Sequence, residues 1–217
     1  MVDNSRNKAY NSRENKANQL IAKPEVITTM DKQTSSARTK PFLSTADIAV
    51  IALSAAMITV CAWISIPTVV PFTLQTFAIF TVAGLFGMKR ASFSMGVYLL
   101  LAAIGLPVLA GMKGGFDKIV GTTGGYIVGF VFIAFIVGFA SDRFGRKVIP
   151  LILSMLIGLA VCYAFGTAWF MLVYARTTGA VGLGTVLGWC VLPFIIPDCV
   201  KILCAVAVSN RVGKYVK

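Results

Sequence analysis

Six largely apolar stretches run along this chain, and none of them alternates. They run from about Ala46 to Ile66, Pro71 to Met88, Phe93 to Leu109, Gly124 to Ala140, Val148 to Val173, and from Pro197 to just before Arg211. A continuous apolar run points to a helix, whereas strict alternation would point to a half-buried strand or a barrel. About 20 such residues cross the roughly 30 Å hydrocarbon layer. Inside that layer every backbone N–H and C=O needs a partner within the protein, which a helix supplies. The pattern predicts an all-α integral membrane protein with six transmembrane helices. The sixth is short, and Pro197 suits its first turn. The Gly-rich stretch before it, "ARTTGAVGLGTVLGWCVLPFII", reads as irregular and must then be shielded by protein.

Residues 1–42 break the pattern. They are polar, mixed in charge, and lack the apolar segment of a cleavable signal peptide. They cannot bury enough apolar area to order themselves. The chain therefore divides into a disordered or loosely helical arm, 1–42, and a membrane domain, 43–217. Composition agrees with that division: 57% of the 217 residues are hydrophobic and 13% charged, against about 25% charged in an ordinary soluble domain.

The formal net charge of +12 is uneven along the chain. The arm, Lys89 and Arg90, Arg143, Arg146 and Lys147, and the tail residues Arg211, Lys214 and Lys217 fall on one side of the six-span layout. Lys113, Lys118 and Arg176 fall on the other. The positive-inside rule makes the first side cytoplasmic, with both termini there, and locates the protein in the cell (plasma) membrane. The charge is read as topology and contact with anionic lipid. No basic aromatic module for nucleic acid is present.

With no histidine and five cysteines in no CxxC pattern, no metal site is expected, and the cysteines read as small apolar residues. No GxxxxGK[ST] loop occurs, so this chain is expected to bind no ATP. No pair of membrane aspartates offers protease chemistry. The protein is expected not to be an enzyme.

Ionisable residues inside a span are functional candidates by default. Asp198 and Lys201, in "PDCVKILCAV", lie three apart and so share a helix face. Either they form a structural ion pair, or they line a polar pocket for a ligand with both donors and acceptors. Gln75, in "PFTLQTF", either bonds a neighbouring helix or faces such a pocket. Lys113 is either a solvated loop lysine or a cation folded inward, since Gly111, Gly114 and Gly115 beside it permit sharp turns. Tyr126 and Trp189 are either interfacial belt residues or aromatic walls. Ala52 and Ala56 in the first span, like Gly125 and Gly129 in the fourth, have the small-xxx-small spacing that admits a close neighbour.

Four stretches in order, "VVPFTLQTF", "GLPVLAGMKGG", "GTTGGYIVGF" and "LPFIIPDCVK", resemble the BioY family, the biotin-binding substrate-capture (S) components of energy-coupling factor (ECF) transporters. The resemblance covers the chain from about Ala46 to its end. It implies a six-helix subunit that takes biotin from outside. A membrane coupling (T) subunit and two cytoplasmic ATPase subunits would drive release inside, so that ATP is used by the partners and no cofactor by this chain. Some members of the family are thought to work without the coupling module, and homo-oligomerisation is left open. Another vitamin as ligand, or a non-transport protein with a structural Asp–Lys pair, are the alternatives.

Carried onto this chain, the resemblance implies that Asp198 accepts from a ureido N–H of biotin. Lys201 then donates to the ureido carbonyl or orients Asp198. Lys113 meets the valerate carboxylate, and Gln75 faces the pocket. Phe72, Tyr126 and Trp189 supply apolar walls, and Thr123, Gly124 and Gly125 form the pocket edge. Ala52 and Ala56 match the helix face that docks the coupling subunit. The chain departs from the family pattern at Thr122, where Pro is usual, and at Ile196-Pro197, where Pro-Gly is common before the aspartate.

Overall fold

The computed structural model describes residues 10–16 and 43–215. The chain divides into two units, Met1–Ser44 and Thr45–Lys217. Within the first, residues 10–16 form a short exposed helix, and the rest of the polar arm lies outside the described residues.

The second unit is built from helices: α1 (Thr45–Trp63), α2 (Gln75–Ala103), α3 (Phe116–Val120), α4 (Gly124–Phe144), α5 (Val148–Thr177), α6 (Leu183–Cys190) and α7 (Leu192–Val212). Between α1 and α2, the strands β1 (Ser65–Ile66) and β2 (Phe72–Thr73) pair antiparallel, Ser65 opposite Thr73 and Ile66 opposite Phe72. Helix α2 lies at the centre, packed against α1, α4 and α7, with α5 behind α4. Tyr98, Phe80, Phe170, Ile58, Met95 and Met155 fill the interior.

Among the described residues, four helical segments are long and apolar enough to cross a membrane: α1, α4, α5, and α6 with α7 taken together as Leu183–Val212. Their outer faces expose Leu53, Phe139, Ile149, Ile157 and Leu203. An apolar exterior of that extent suits lipid rather than water.

Helix α2 covers both of the spans expected between Pro71 and Leu109. It runs from Gln75 to Ala103 as two helical segments joined at Gly87, where φ is +76° and ψ −178°. Each half is short of the roughly 20 residues that cross a bilayer unaided. Lys89 and Arg90, expected at the end of the second span, sit in the first turn after the break. A clasp from the α4–α5 junction holds that break. Asp142 Oδ2 accepts the Met88 N–H at 2.9 Å. Ser141 Oγ donates to the Gly84 carbonyl at 2.8 Å. Arg146 donates to the Leu85 carbonyl at 2.7 Å and to that of Gly213 beyond α7. The carboxylate thus caps the new helix start, where backbone N–H groups lack helical partners.

The start expected for the last helix is also corrected. Helix α7 begins at Leu192, with Pro193 in its first turn and Pro197 inside it. The stretch expected to be irregular contains α6. Pro197 removes only the helical donor to the Pro193 carbonyl, and so close to the helix start that loss does not stop the helix.

Candidate ligand-binding site

The β1–β2 loop, the N-terminal end of α2, the loop before α4 and the middle of α5 and α7 enclose two adjoining chambers. The outer one, of about 300 Å³, is lined by Thr73, Gln75, Lys113, Lys118, Thr123 and Tyr126 among others. The inner one, of about 40 Å³, reaches Thr76, Cys162, Tyr163, Asp198 and Lys201. Val70, Pro71, Thr73, Tyr126 and Phe130 wall both, so a single elongated ligand can occupy the pair.

The floor is a hydrogen-bonded polar cluster. Asp198 and Lys201 are 2% and 6% exposed. One turn of α7 brings them together, with Lys201 Nζ 2.7 Å from Asp198 Oδ1. Thr76 Oγ1 accepts from Lys201 at 3.1 Å and donates to Asp198 Oδ1 at 3.2 Å. Tyr163 OH donates to Asp198 Oδ2 at 2.6 Å. The ammonium also lies 4.2 Å from the centre of the Phe72 ring, whose edge is tilted against Phe194. Burying a charge is costly unless it is both paired and hydrogen-bonded, and this cluster does both.

Gln75 is 4% exposed, and its Nε2 has no hydrogen-bond partner. The amide lines the outer chamber next to Tyr98, where it can also meet an acceptor atom on a ligand.

The loop that carries Lys113 is pinned. Leu109 N–H donates to the Lys113 carbonyl at 2.9 Å and Gly115 N–H to that of Ala102 at 2.8 Å. Three large side chains hold its ends: Trp63 Nε1 donates to the Pro107 carbonyl at 2.7 Å, Tyr98 OH to that of Val108 at 3.0 Å, and Trp169 Nε1 to that of Gly121 at 3.0 Å. The loop is thereby fastened over the mouth with Lys113 on its inner lining.

Of the residues expected from sequence, Asp198, Lys201, Gln75, Lys113, Thr123 and Tyr126 come together around the chambers, with Phe72 beneath Lys201. Tyr126 serves as a wall, because its hydroxyl is engaged by Thr167 Oγ1 at 3.0 Å. Trp189 is not brought in; it is 41% exposed and packs edge-on against Tyr174. Gly124 and Gly125 line neither chamber. A Cβ on Gly124 would sit 1.7 Å from the Ile119 carbonyl oxygen, and one on Gly125 2.3 Å from Trp169. They let α4 close against the loop and α5, which sets the wall without touching its contents. Ala52 and Ala56 line neither chamber; they are exposed in a groove shared with Trp63, Val97 and Leu101.

Thr76, Tyr163 and Lys118 were missed. Tyr163 had a signal, since a tyrosine in the middle of an apolar run needs a partner for its hydroxyl. Tyr163→Phe is expected to lower stability by about 1.5–3 kcal/mol, the range for a hydrogen bond to a charged group, read from thermal unfolding in detergent.

Comparison with known proteins decides the lineage. The model of the BioY family matches residues 30–217. The chain belongs to the BioY family. It is 37% identical to the biotin transporter BioY of Thermotoga maritima, over 73% of this chain and 90% of that protein. It is also 37% identical to the probable biotin transporter BioY of Pyrococcus horikoshii, over 76% of this chain and 94% of that one. The crystal structure of the S-component for biotin from an ECF-type ABC transporter superposes with a TM-score of 0.69 at 29% identity, covering 77% of this chain and 90% of that one. The all-helical architecture of this BioY chain is thus that of an ECF S-component.

Proposed function

We propose that this chain takes up biotin, binding it at the outer face of the membrane and delivering it to the cytoplasm as the substrate-specific subunit of an ATP-driven ECF transporter. The observation that carries the reading is the buried Asp198–Lys201 pair at the floor of a chamber with Lys113 at its mouth, in a chain of the BioY family. Biotin has complementary chemistry along its length. Its ureido ring offers two N–H donors and one carbonyl, which match the Asp198 carboxylate and the donors of Lys201 and Gln75. Its apolar ring and methylenes fit between Tyr126, Phe130 and Pro71. Its carboxylate lies at the far end of an extended tail, which suits Lys113.

The same reading assigns six spans by counting the halves of α2 separately about Gly87. Lys89, Arg90, Arg143, Arg146, Lys147 and Arg211 then lie at one end and Lys113, Lys118 and Arg176 at the other, which supports cytoplasmic termini in the plasma membrane. Ala52 and Ala56, small and exposed on α1, would receive the coupling subunit. The two ATPase subunits supply the nucleotide chemistry, and this chain binds no cofactor. Lipid surrounds the bundle.

Calorimetry of the purified chain tests the reading. Saturable biotin binding that a panel of other vitamins does not displace is the expected result. No binding, or equal displacement by another vitamin, overturns it. Lys113→Ala is expected to weaken biotin by about ten-fold or more, the scale of one hydrogen bond to a charged group. It should leave a neutral biotin amide nearly unaffected. Equal losses for both ligands would remove Lys113 from the carboxylate.

A further inference from the structure

Lys118 shares the outer chamber with Lys113, and the residues lining that chamber include no acid. Among the described residues, the carboxylate paired with Lys118 is that of its chain neighbour Asp117, 2.7 Å away. That contact is poorly held. Adjacent residues on a helix do not face each other, so the two side chains meet only by bending toward one another across the short helix α3. Both are open to solvent, Lys118 at 48% and Asp117 at 67% side-chain exposure. Water screens such a pair and makes it easy to give up. The lysine stem is flexible and its ammonium is a compact point charge, so it can turn from Asp117 into the chamber without moving the backbone.

We propose that Lys118 is a second specificity-determining cation of the mouth, for which Asp117 is a resting counter-ion that the ligand's carboxylate displaces. The inference rests on the biotin reading. It assigns the free carboxylate of the ligand a place between Lys113 and Lys118, and it makes the chamber select free acids over ligands whose tail is capped as a neutral amide. The hydrogen bond from Lys118 holds the Asp117 carboxyl below its usual range, so the counter-ion stays charged and in competition through the neutral pH region. Thr122 and Thr123, on the same lining, add hydroxyl donors to the chamber.

The test is calorimetry of the full chain with biotin and with biotin amide, for the unsubstituted protein, Lys118→Met, Asp117→Asn and the double variant. Lys118→Met keeps the stem and removes only the charge. It is expected to weaken biotin about five-fold, the scale of a half-exposed ion pair, and to leave the amide unchanged. Asp117→Asn is expected to tighten biotin two- to three-fold, about the size of a screened surface interaction. That gain should disappear in the Lys118→Met background. Three results overturn the inference while leaving biotin uptake intact: Lys118→Met weakening acid and amide alike, Lys118→Met weakening neither, or Asp117→Asn acting equally in both backgrounds. Failure of the unsubstituted chain to bind biotin overturns the uptake reading, and this inference with it.

Discussion

Lys201→Met is expected to lower stability by about 3–5 kcal/mol, the cost of leaving a buried charge without its partner. Asp198 is 2% exposed and would retain only the neutral donors Thr76 and Tyr163. Those hydrogen bonds hold the carboxylate in position without balancing its charge. Replacing both charges together, Asp198→Leu with Lys201→Met, is expected to restore most of the stability, because an apolar pair of similar volume has no charge to desolvate. The two variants therefore separate the pair's structural contribution from its role in binding. If the pair is the floor of the ligand site, the double variant unfolds near the parent temperature and shows no measurable biotin binding by calorimetry. A double variant that binds as the parent does would make the pair purely structural.

Gly87→Ala is expected to be as damaging, at a point with no contact to the ligand chambers. The conformation at Gly87, φ +76° with an extended ψ, is one that residues with a side chain adopt at a cost of order 1–3 kcal/mol. The methyl group would also sit 2.0 Å from Asp142 Oδ1. Asp142 cannot simply retreat, because it caps the helix start at Met88. A total loss of about 3 kcal/mol or more follows, seen as a large fall in unfolding temperature or in folded yield. Adding Asp142→Ala removes the collision and leaves both the backbone strain and the lost cap. The double variant should therefore remain well below the parent. Full recovery would show that the backbone at this position carries no strain.

The consequences of the two predictions meet in α2 and α7. Helix α2 carries Gln75 and Thr76 toward the chambers and the Gly87 break toward the basic end. Helix α7 carries Asp198 and Lys201, and the Gly213 carbonyl just beyond it accepts from Arg146. The clasp of Asp142, Ser141 and Arg146 thus joins the two helices that bear the polar floor. Damage at Gly87 is expected to reach biotin affinity through their relative placement, although no clasp residue lines the chambers.

Several features were legible in the residues alone. Long unalternating apolar runs determine helices in a membrane, because no other local structure satisfies the backbone in hydrocarbon. An aspartate and a lysine three apart within such a run determine a shared face and a reason to look for a ligand. Four ordered motifs pointed to the BioY family, and the family match and the biotin S-component fold agree with them. What the chain could not disclose locally were relations between distant residues. Thr76 and Tyr163 reach Asp198 across 122 and 35 positions of sequence; the polar groups themselves are visible in their apolar runs, but the partner they share is not. Trp189 and Tyr126 look alike as aromatic candidates, yet packing sends one to the exterior and makes the other a wall. Gly124 and Gly125 resemble a ligand-approach loop, but the atoms they spare belong to Ile119 and Trp169. Lys89 and Arg90 read as the boundary between two spans, but the carboxylate 54 positions away from Met88 that caps the helix restarting there was not legible locally. Hydrophobic periodicity and charge act over a few residues and so determined the solvent, the elements and the chemistry available. Which side chains meet depends on how the helices pack, and that was decided only by the tertiary structure.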